Sequence, residues 1–343
     1  MLRDMAALKP RASPIDVLFV IVPHALLLDI AGPAEAFRLA NLRYADRAMP
    51  LPFRLRFTGP VADPVTSVGL TLAALESLPR SLNIPTWVVV AGQPSAHVGR
   101  LTRPILDTAQ WLRSTLHGQL DAPASPHKLI TICSGTLLAA RAGLADERQC
   151  TTHHDLLGEL REIAPRAKVV NNRVFMIDGS FASSAGITAG IDLALHLIAD
   201  ECGEALAAQV AEDMVVYLRR SSSHPELSPF LAHRRHLHAA VHRVQDALST
   251  EPEKAWDMAA MAAVGHVTER HLLRLFLRHA GVSPLRYLQE IRLLRARQSL
   301  EHGASVARAA EDAGFRSGSQ MRRAWSRQWG GTPRDAGKGV TAD

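Results

Sequence analysis

The sequence predicts two folded parts: an α/β N-terminal domain of flavodoxin-like type, a parallel sheet between helices, over residues 14–220, and an all-α domain with two helix-turn-helix motifs over 234–336. Three observations predict this. As far as about residue 200, short apolar runs alternate with segments of helical spacing, the pattern of strands connected by crossover helices. Beyond a Ser- and Pro-dense stretch at 221–233, read as a linker, the pattern is almost wholly helical. Within that helical stretch a single supersecondary unit occurs twice at an offset of 49 residues.

Taken in order, the strands are IDVLFVIV (15–22), FRLRFTG (53–59), TWVVVAG (86–92), KLITIC (128–133) and VFMIDGSFASSAG (174–186). They are rich in Val, Ile and Phe, and several are continuous rather than alternating, as strands buried on both faces should be. The intervening helices are expected at 33–45, starting near Pro33, and at 103–118, 134–145 and 153–164, with two more between 187 and 220 that break near Gly203.

With 47% apolar and 21% charged residues, the composition is ordinary for a soluble globular protein and forces neither a fibre nor a disordered tail. The first apolar run is interrupted by Asp16, Pro23, His24 and Asp29, so it reads as a buried strand and loop; no membrane span or signal peptide is expected. Three scattered cysteines, Cys133, Cys150 and Cys202, make neither a disulfide framework nor a metal motif, which points to the cytoplasm, with no metal and no cofactor expected. The net charge of +6 is unevenly placed: residues 231–343 hold 18 Lys and Arg against 11 Asp and Glu, whereas residues 1–230 hold 21 against 22. A basic final third suits a nucleic-acid partner.

In the repeat, Gly265 maps to Gly314, Thr268 to Ser317, Leu272 to Met321, Arg274 to Arg323, Phe276 to Trp325, Gly281 to Gly330 and Pro284 to Pro333. Each copy, at about 257–279 and 305–329, reads as helix, glycine turn, hydroxyl N-cap and second helix. Gly265 and Gly314 are expected in left-handed turns, and Ser317 with Gln320 has capping-box spacing. On the second helices Leu272, Leu275 and Phe276, and likewise Met321 and Trp325, form the inward stripe. The outward stripe carries Arg270, Leu273 and Arg274 in one copy and Ser319, Arg322 and Arg323 in the other, as a helix entering a DNA major groove requires. A linking helix follows Ser283 and Pro284, with apolar positions 285, 288, 291 and 294; about 18 residues of helix span roughly 27 Å, a length that suits two reading helices about one DNA turn apart.

Residues 250–336, above all AAEDAGFRSGSQ, resemble the AraC family of bacterial transcription regulators; Met321, Trp325 and Trp329 stand where that family usually has Phe. The resemblance implies contacts to bases or phosphates from Arg270, Leu273, Arg274, Gly318, Ser319, Arg322 and Arg323, and RNA polymerase as a partner. Residues 14–200 resemble the ThiJ/PfpI, class I glutamine-amidotransferase-like fold through LLLDIAGPAEAF, ICSGTLLAARAGL and CTTHHDLL. The combination is similar to GlxA-type regulators, which implies a homodimer, double-stranded DNA as partner, a small-molecule effector, and activation as the mode of regulation.

Cys133 falls at a strand-to-helix turn, where a helix dipole favours thiolate and the amide of Ser134 can serve as half an oxyanion hole. By resemblance, Asp29 is the acidic residue that approaches this cysteine and His153 the imidazole; in the protease branch of the fold the residue after the cysteine is His, and here it is Ser134. The expectation is a ligand site built from Cys133, Ser134, Asp29 and His153 and no catalysis. The alternatives are a cysteine-dependent hydratase or amidase, and a redox sensor using Cys133.

Overall fold

The computed structural model describes residues 13–122, 125–216, 220–222, 232–234, 236–301, 303–329 and 331–333. The chain divides into two compact units, with the division between positions 226 and 227. Most of the 221–233 linker, Gly330 and the segment after 333 lie outside the described residues.

In the first unit seven strands form one sheet in the order β3-β2-β1-β4-β5-β9-β8, where β1 is Ile15–Val20, β2 Phe53–Gly59, β3 Glu76–Ser77, β4 Thr86–Val90, β5 Lys128–Ile132, β8 Phe175–Asp178 and β9 Phe181–Ser184. All neighbours are parallel except β8 and β9. Every residue of β1 and β4 is buried, which explains the absence of alternation in IDVLFV and TWVVV. Helices α1 (Leu27–Ala45), α6 (Thr188–Cys202) and α7 (Glu204–Asp213) enclose one apolar core with Phe19, Phe37 and Trp87. The other core, with Val88, Leu112 and Leu137, involves α3 (Arg103–Leu116), α4 (Gly135–Arg141) and α5 (Leu157–Ile163); α2 (Ser95–Val98) is a single turn. A short two-stranded sheet pairs β6 (Gln149–Cys150) with β7 (Lys168–Val169).

Two local expectations are corrected. VFMIDGSFASSAG is a hairpin rather than one strand, turning at Gly179 with φ +60°. The first helix begins at Leu27, and Pro33 lies inside it. This places Asp29 in the first helical turn rather than in a loop, while Pro33 lacks the N–H that would otherwise bond back to the Asp29 carbonyl. The segment after residue 187 does form two helices, α6 and α7, broken at Gly203, whose φ is +100°.

The second unit comprises α8 (Ala239–Thr250), α9 (Met258–Gly265), α10 (Glu269–His279), α11 (Pro284–Glu301), α12 (Val306–Asp312) and α13 (Gly318–Trp329). It has two apolar cores. One gathers Val244, Met261, Leu272, Phe276 and Tyr287, the other Ala309, Met321 and Trp325. The long helix α11 serves both, with Leu288 and Ile291 in the first and Leu293, Ala296 and Leu300 in the second. Its inward residues therefore rotate from one core to the next, and Leu285, expected inside, is exposed.

Candidate nucleic-acid interface and candidate ligand site

Each second helix of the repeat is fixed by a hydroxyl cap. The Thr268 hydroxyl accepts from the His271 amide at 3.3 Å, and the Ser317 hydroxyl accepts from the Gln320 amide at 3.1 Å. Gln320 Oε1 reaches back to the Arg316 amide at 2.9 Å, one residue before the position a capping box uses. The two repeat glycines behave differently. Gly314 has φ +79°, and a Cβ there would lie 2.4 Å from the Cα of Glu253. Gly265 ends α9 without a positive φ, and His266 takes the left-handed position at φ 54°. Gly265 is instead hemmed in by side chains: a Cβ would meet Val244 and Val267 methyl groups at 3.3 Å.

Leu272, Leu275 and Phe276 on α10, and Met321, Ala324 and Trp325 on α13, are buried. The opposite faces expose Arg270, Leu273 and Arg274, and Ser319, Arg322 and Arg323; Gly318, at the head of α13, is half-buried. Arg274 is hydrogen-bonded to the ring of His271 at 2.8 Å and Arg322 to the Ser319 hydroxyl at 3.2 Å. None of Arg270, Arg274, Arg322 and Arg323 forms an ion pair with a carboxylate among the described residues, so their charge is not neutralised from within. Such arginines, on helices anchored by an apolar stripe, can fork onto guanine edges and phosphates.

In the first unit three of the residues expected at the ligand site, Asp29, Cys133 and Ser134, are assembled by the carboxyl ends of β1, β4, β5 and β9, next to the point where strand order reverses between β1 and β4. Cys133 follows β5 with φ 54°, a conformation uncommon for a side chain with a Cβ, and is 5% exposed. Its amide donates to the Ser184 carbonyl at 3.0 Å, and its carbonyl accepts from the Thr152 hydroxyl at 2.7 Å. Ser134 packs its hydroxyl against Gln93, accepting from the Gln93 amide at 2.6 Å and donating to its carbonyl at 2.9 Å. The fully buried Asp29 accepts from the Gly92 amide at 3.1 Å and the Ile187 amide at 2.9 Å. Burial pushes its carboxyl up to about 6 against the pull of those two amides.

Two glycines make this convergence possible. A Cβ on Gly92 would stand 2.8 Å from Cys133 Cβ and 2.9 Å from Asp29 Oδ2, so both side chains crowd one point. At Gly186, φ +107°, a Cβ would stand 2.4 Å from Cys133 Cβ. Asp29, Cys133 and Ser134 are thus brought together. The backbone preceding His153 is tied to the same turn through Thr152, while the His153 ring lies tilted against that of His154 with centroids 4.1 Å apart and accepts from the Asp155 amide at 3.4 Å. Gly92, Gln93, Thr152, Gly186 and Ile187 are site residues that sequence reading missed; glycines closing strand patterns at TWVVVAG and SSAG were the available signal. Among the described residues all three cysteines are buried and outside any disulfide, and burial, with Asp178, pushes the Cys150 thiol up to about 11. No helix among the described residues is long and apolar enough to cross a membrane.

A helix-turn-helix domain family model matches residues 261–338. The HTH-type transcriptional regulator CdhR of Pseudomonas aeruginosa is 30% identical over 324 residues, which cover 93% of this chain and 90% of that protein. The regulator GbdR of the same organism is 32% identical over 214 residues, 62% of this chain and 58% of its own length, so the chain matches little more than half of that relative. The regulator GlxA of Rhizobium meliloti is 31% identical over 203 residues, 59% of this chain and 62% of that protein. With a doubled helix-turn-helix in its second unit and likeness to CdhR over almost all of both chains, the chain belongs to the AraC family of transcriptional regulators.

Proposed function

We propose that the protein is a sequence-specific DNA-binding transcriptional regulator, an activator whose α/β unit binds a small metabolite and biases the DNA-binding unit. The observation that carries the reading is the matched pair α10 and α13, each capped, each buried along an apolar stripe, and each exposing arginines that no described carboxylate neutralises. The contact residues are Arg270, Leu273, Arg274, Gly318, Ser319, Arg322 and Arg323, with double-stranded DNA as partner and the α/β unit, or α6 and α7 within it, as the homodimer contact. The effector site is the strand-end cluster of Asp29, Cys133, Ser134 and His153. Cys133 is buried and followed by Ser134 rather than an imidazole, which supports ligand recognition over turnover. Sequencing DNA fragments retained by the protein, with and without cell-extract metabolites, tests the reading. It expects one recurrent bipartite motif whose enrichment changes with the metabolites; retention without any common motif overturns it.

A further inference from the structure

The outward face of α10 carries a feature that arginine contacts alone do not explain. Leu273 and Leu277, one helical turn apart, are 39% and 53% exposed. At about 3.6 residues per turn they share one strip with Arg270 and Arg274, and Leu277 stands opposite the buried Leu272, Leu275 and Phe276. A single leucine on a surface is unremarkable. A pair set among arginines that have no carboxylate partner among the described residues suits a partner that is anionic overall and apolar at points. The repeat sharpens this. Shifted by 49 residues, Leu273 corresponds to Arg322, Leu277 to Ser326 and Arg270 to Ser319, all three exposed on α13. The strip on α10 thus reads Arg, Leu, Arg, Leu, and that on α13 reads Ser, Arg, Arg, Ser. The inward stripes match apolar for apolar, so the chemical difference is confined to the outer faces.

We propose, resting on the DNA-binding reading above, that Leu273 and Leu277 read the 5-methyl groups of thymines in the major groove, so that the half of the site under α10 is selected for thymine and the half under α13 is not. Thymine's methyl is the one apolar group displayed in that groove; the other base edges there are hydrogen-bond donors or acceptors. A leucine side chain can replace no hydrogen bond. Against guanine O6 and N7 or cytosine N4 it strips water from a polar edge and leaves that edge unsatisfied. Against a methyl group it removes two apolar surfaces from water together. A helix about 10–12 Å across with its side chains fits a groove about 12 Å wide, and the residue opposite the core, Leu277, then points at the groove floor. Ser319, Arg322, Arg323 and Ser326 on α13 offer hydrogen bonds instead, so that half is read through polar edges and phosphates. The bound site is therefore chemically asymmetric although one repeated unit reads both halves.

The test uses the full chain to select duplexes from a random-sequence pool. Fluorescence anisotropy then follows binding to the selected duplex with deoxyuridine, which lacks the methyl group, in place of thymidine in one half at a time. The half under α10 is the one where Leu273→Gln changes the preferred base, since glutamine in that place favours adenine. Uracil there should weaken binding of the parent about fourfold per methyl removed, and uracil in the other half less than about twofold. In the doubly substituted Leu273→Ala, Leu277→Ala protein the uracil penalty should vanish, with the Tm close to that of the parent because both side chains are exposed. A penalty that persists in the double variant arises from DNA shape rather than from the leucines and overturns the proposal. So do equal penalties in both halves, no penalty under α10, or a Leu273→Gln protein that selects the parent's motif unchanged. A pool that yields no recurrent motif overturns the DNA-binding reading and this inference with it, whereas a recurrent motif insensitive to uracil removes this inference alone.

Discussion

Asp29 Oδ1 accepts a hydrogen bond from the backbone amide of Ile187 at 2.9 Å, joining residues 158 positions apart, and Ile187 is held there at φ 49°. A β-branched residue does not adopt that conformation unaided, so the buried carboxyl helps to hold the strained entry to α6. The carboxyl is pushed up to about 6 in the folded chain, from 3.8 when unfolded. A raised folded value means that this group's contribution to stability is complete below about pH 4 and is lost as pH rises through 6. A rise of that size corresponds to about 3 kcal/mol. Urea unfolding of the parent and of Asp29→Asn at pH 7.5 and at pH 5 checks this: the parent should gain on the variant at the lower pH. A stability difference independent of pH contradicts it.

Gly314 and Gly265 are equivalent in the repeat but constrained differently. Gly314→Ala forces a side chain into a left-handed position and onto the backbone of Glu253, which cannot give way as a flexible side chain can. A loss of about 2–4 kcal/mol is expected. Gly265→Ala meets only side-chain methyl groups at 3.3 Å in an ordinary backbone conformation, and about 1 kcal/mol or less is expected. Thermal unfolding of both variants measures the asymmetry, and similar losses would contradict it.

The pattern legible in the sequence was whatever repeats or runs: the buried strands of the sheet, the caps at Thr268 and Ser317, and the inward and outward stripes of α10 and α13. What stayed hidden depends on contacts between distant positions. Nothing local says that Gly92 and Gly186 must lack a Cβ because Cys133 fills their space. Leu285 looks like a core residue by spacing, yet α11 turns a different side to each of its two cores, which one helical period does not reveal. The start of α1 was misplaced because Pro33 reads as a first-turn proline, whereas the helix runs through it.

His233 lies between α10 and α11 with each ring nitrogen facing an acceptor: Nδ1 the Ala280 carbonyl and Nε2 the Glu290 carboxylate, both at 2.9 Å. Only the doubly protonated ring donates to both. The Glu290 hydrogen bond leads in raising His233 above the usual imidazole range, while Glu290, pushed up by burial, is held down by its bonds from His233 and Arg286. The raised His233 value makes its contribution complete below about pH 6.5 and lost as pH rises through the folded value. The parent should therefore lose stability relative to His233→Gln between pH 6.5 and pH 9, read as the difference in urea midpoints; parallel profiles rule this out.

In the proposed reading, Arg322 and Arg323 on α13, and Arg270 and Arg274 on α10, divide between base reading and phosphate contact. Arg323→Ala should cost about 1–3 kcal/mol on the preferred site and relax the preference at one base step, as loss of a forked guanine contact does. A phosphate contact among the others would instead weaken all sequences alike and shallow the salt dependence by about one unit of slope. Arg327, exposed on the same helix but with its Nε donating to the Arg323 carbonyl, is the control and should change neither quantity by much. Fluorescence anisotropy on the selected site and on single-base variants, at several salt concentrations, separates the cases. If each helix reads one half of the site, as proposed, pairing Arg274→Ala with Arg323→Ala should give nearly additive losses on the full site. If either substitution leaves the profile unchanged, that helix is not facing the duplex as assigned.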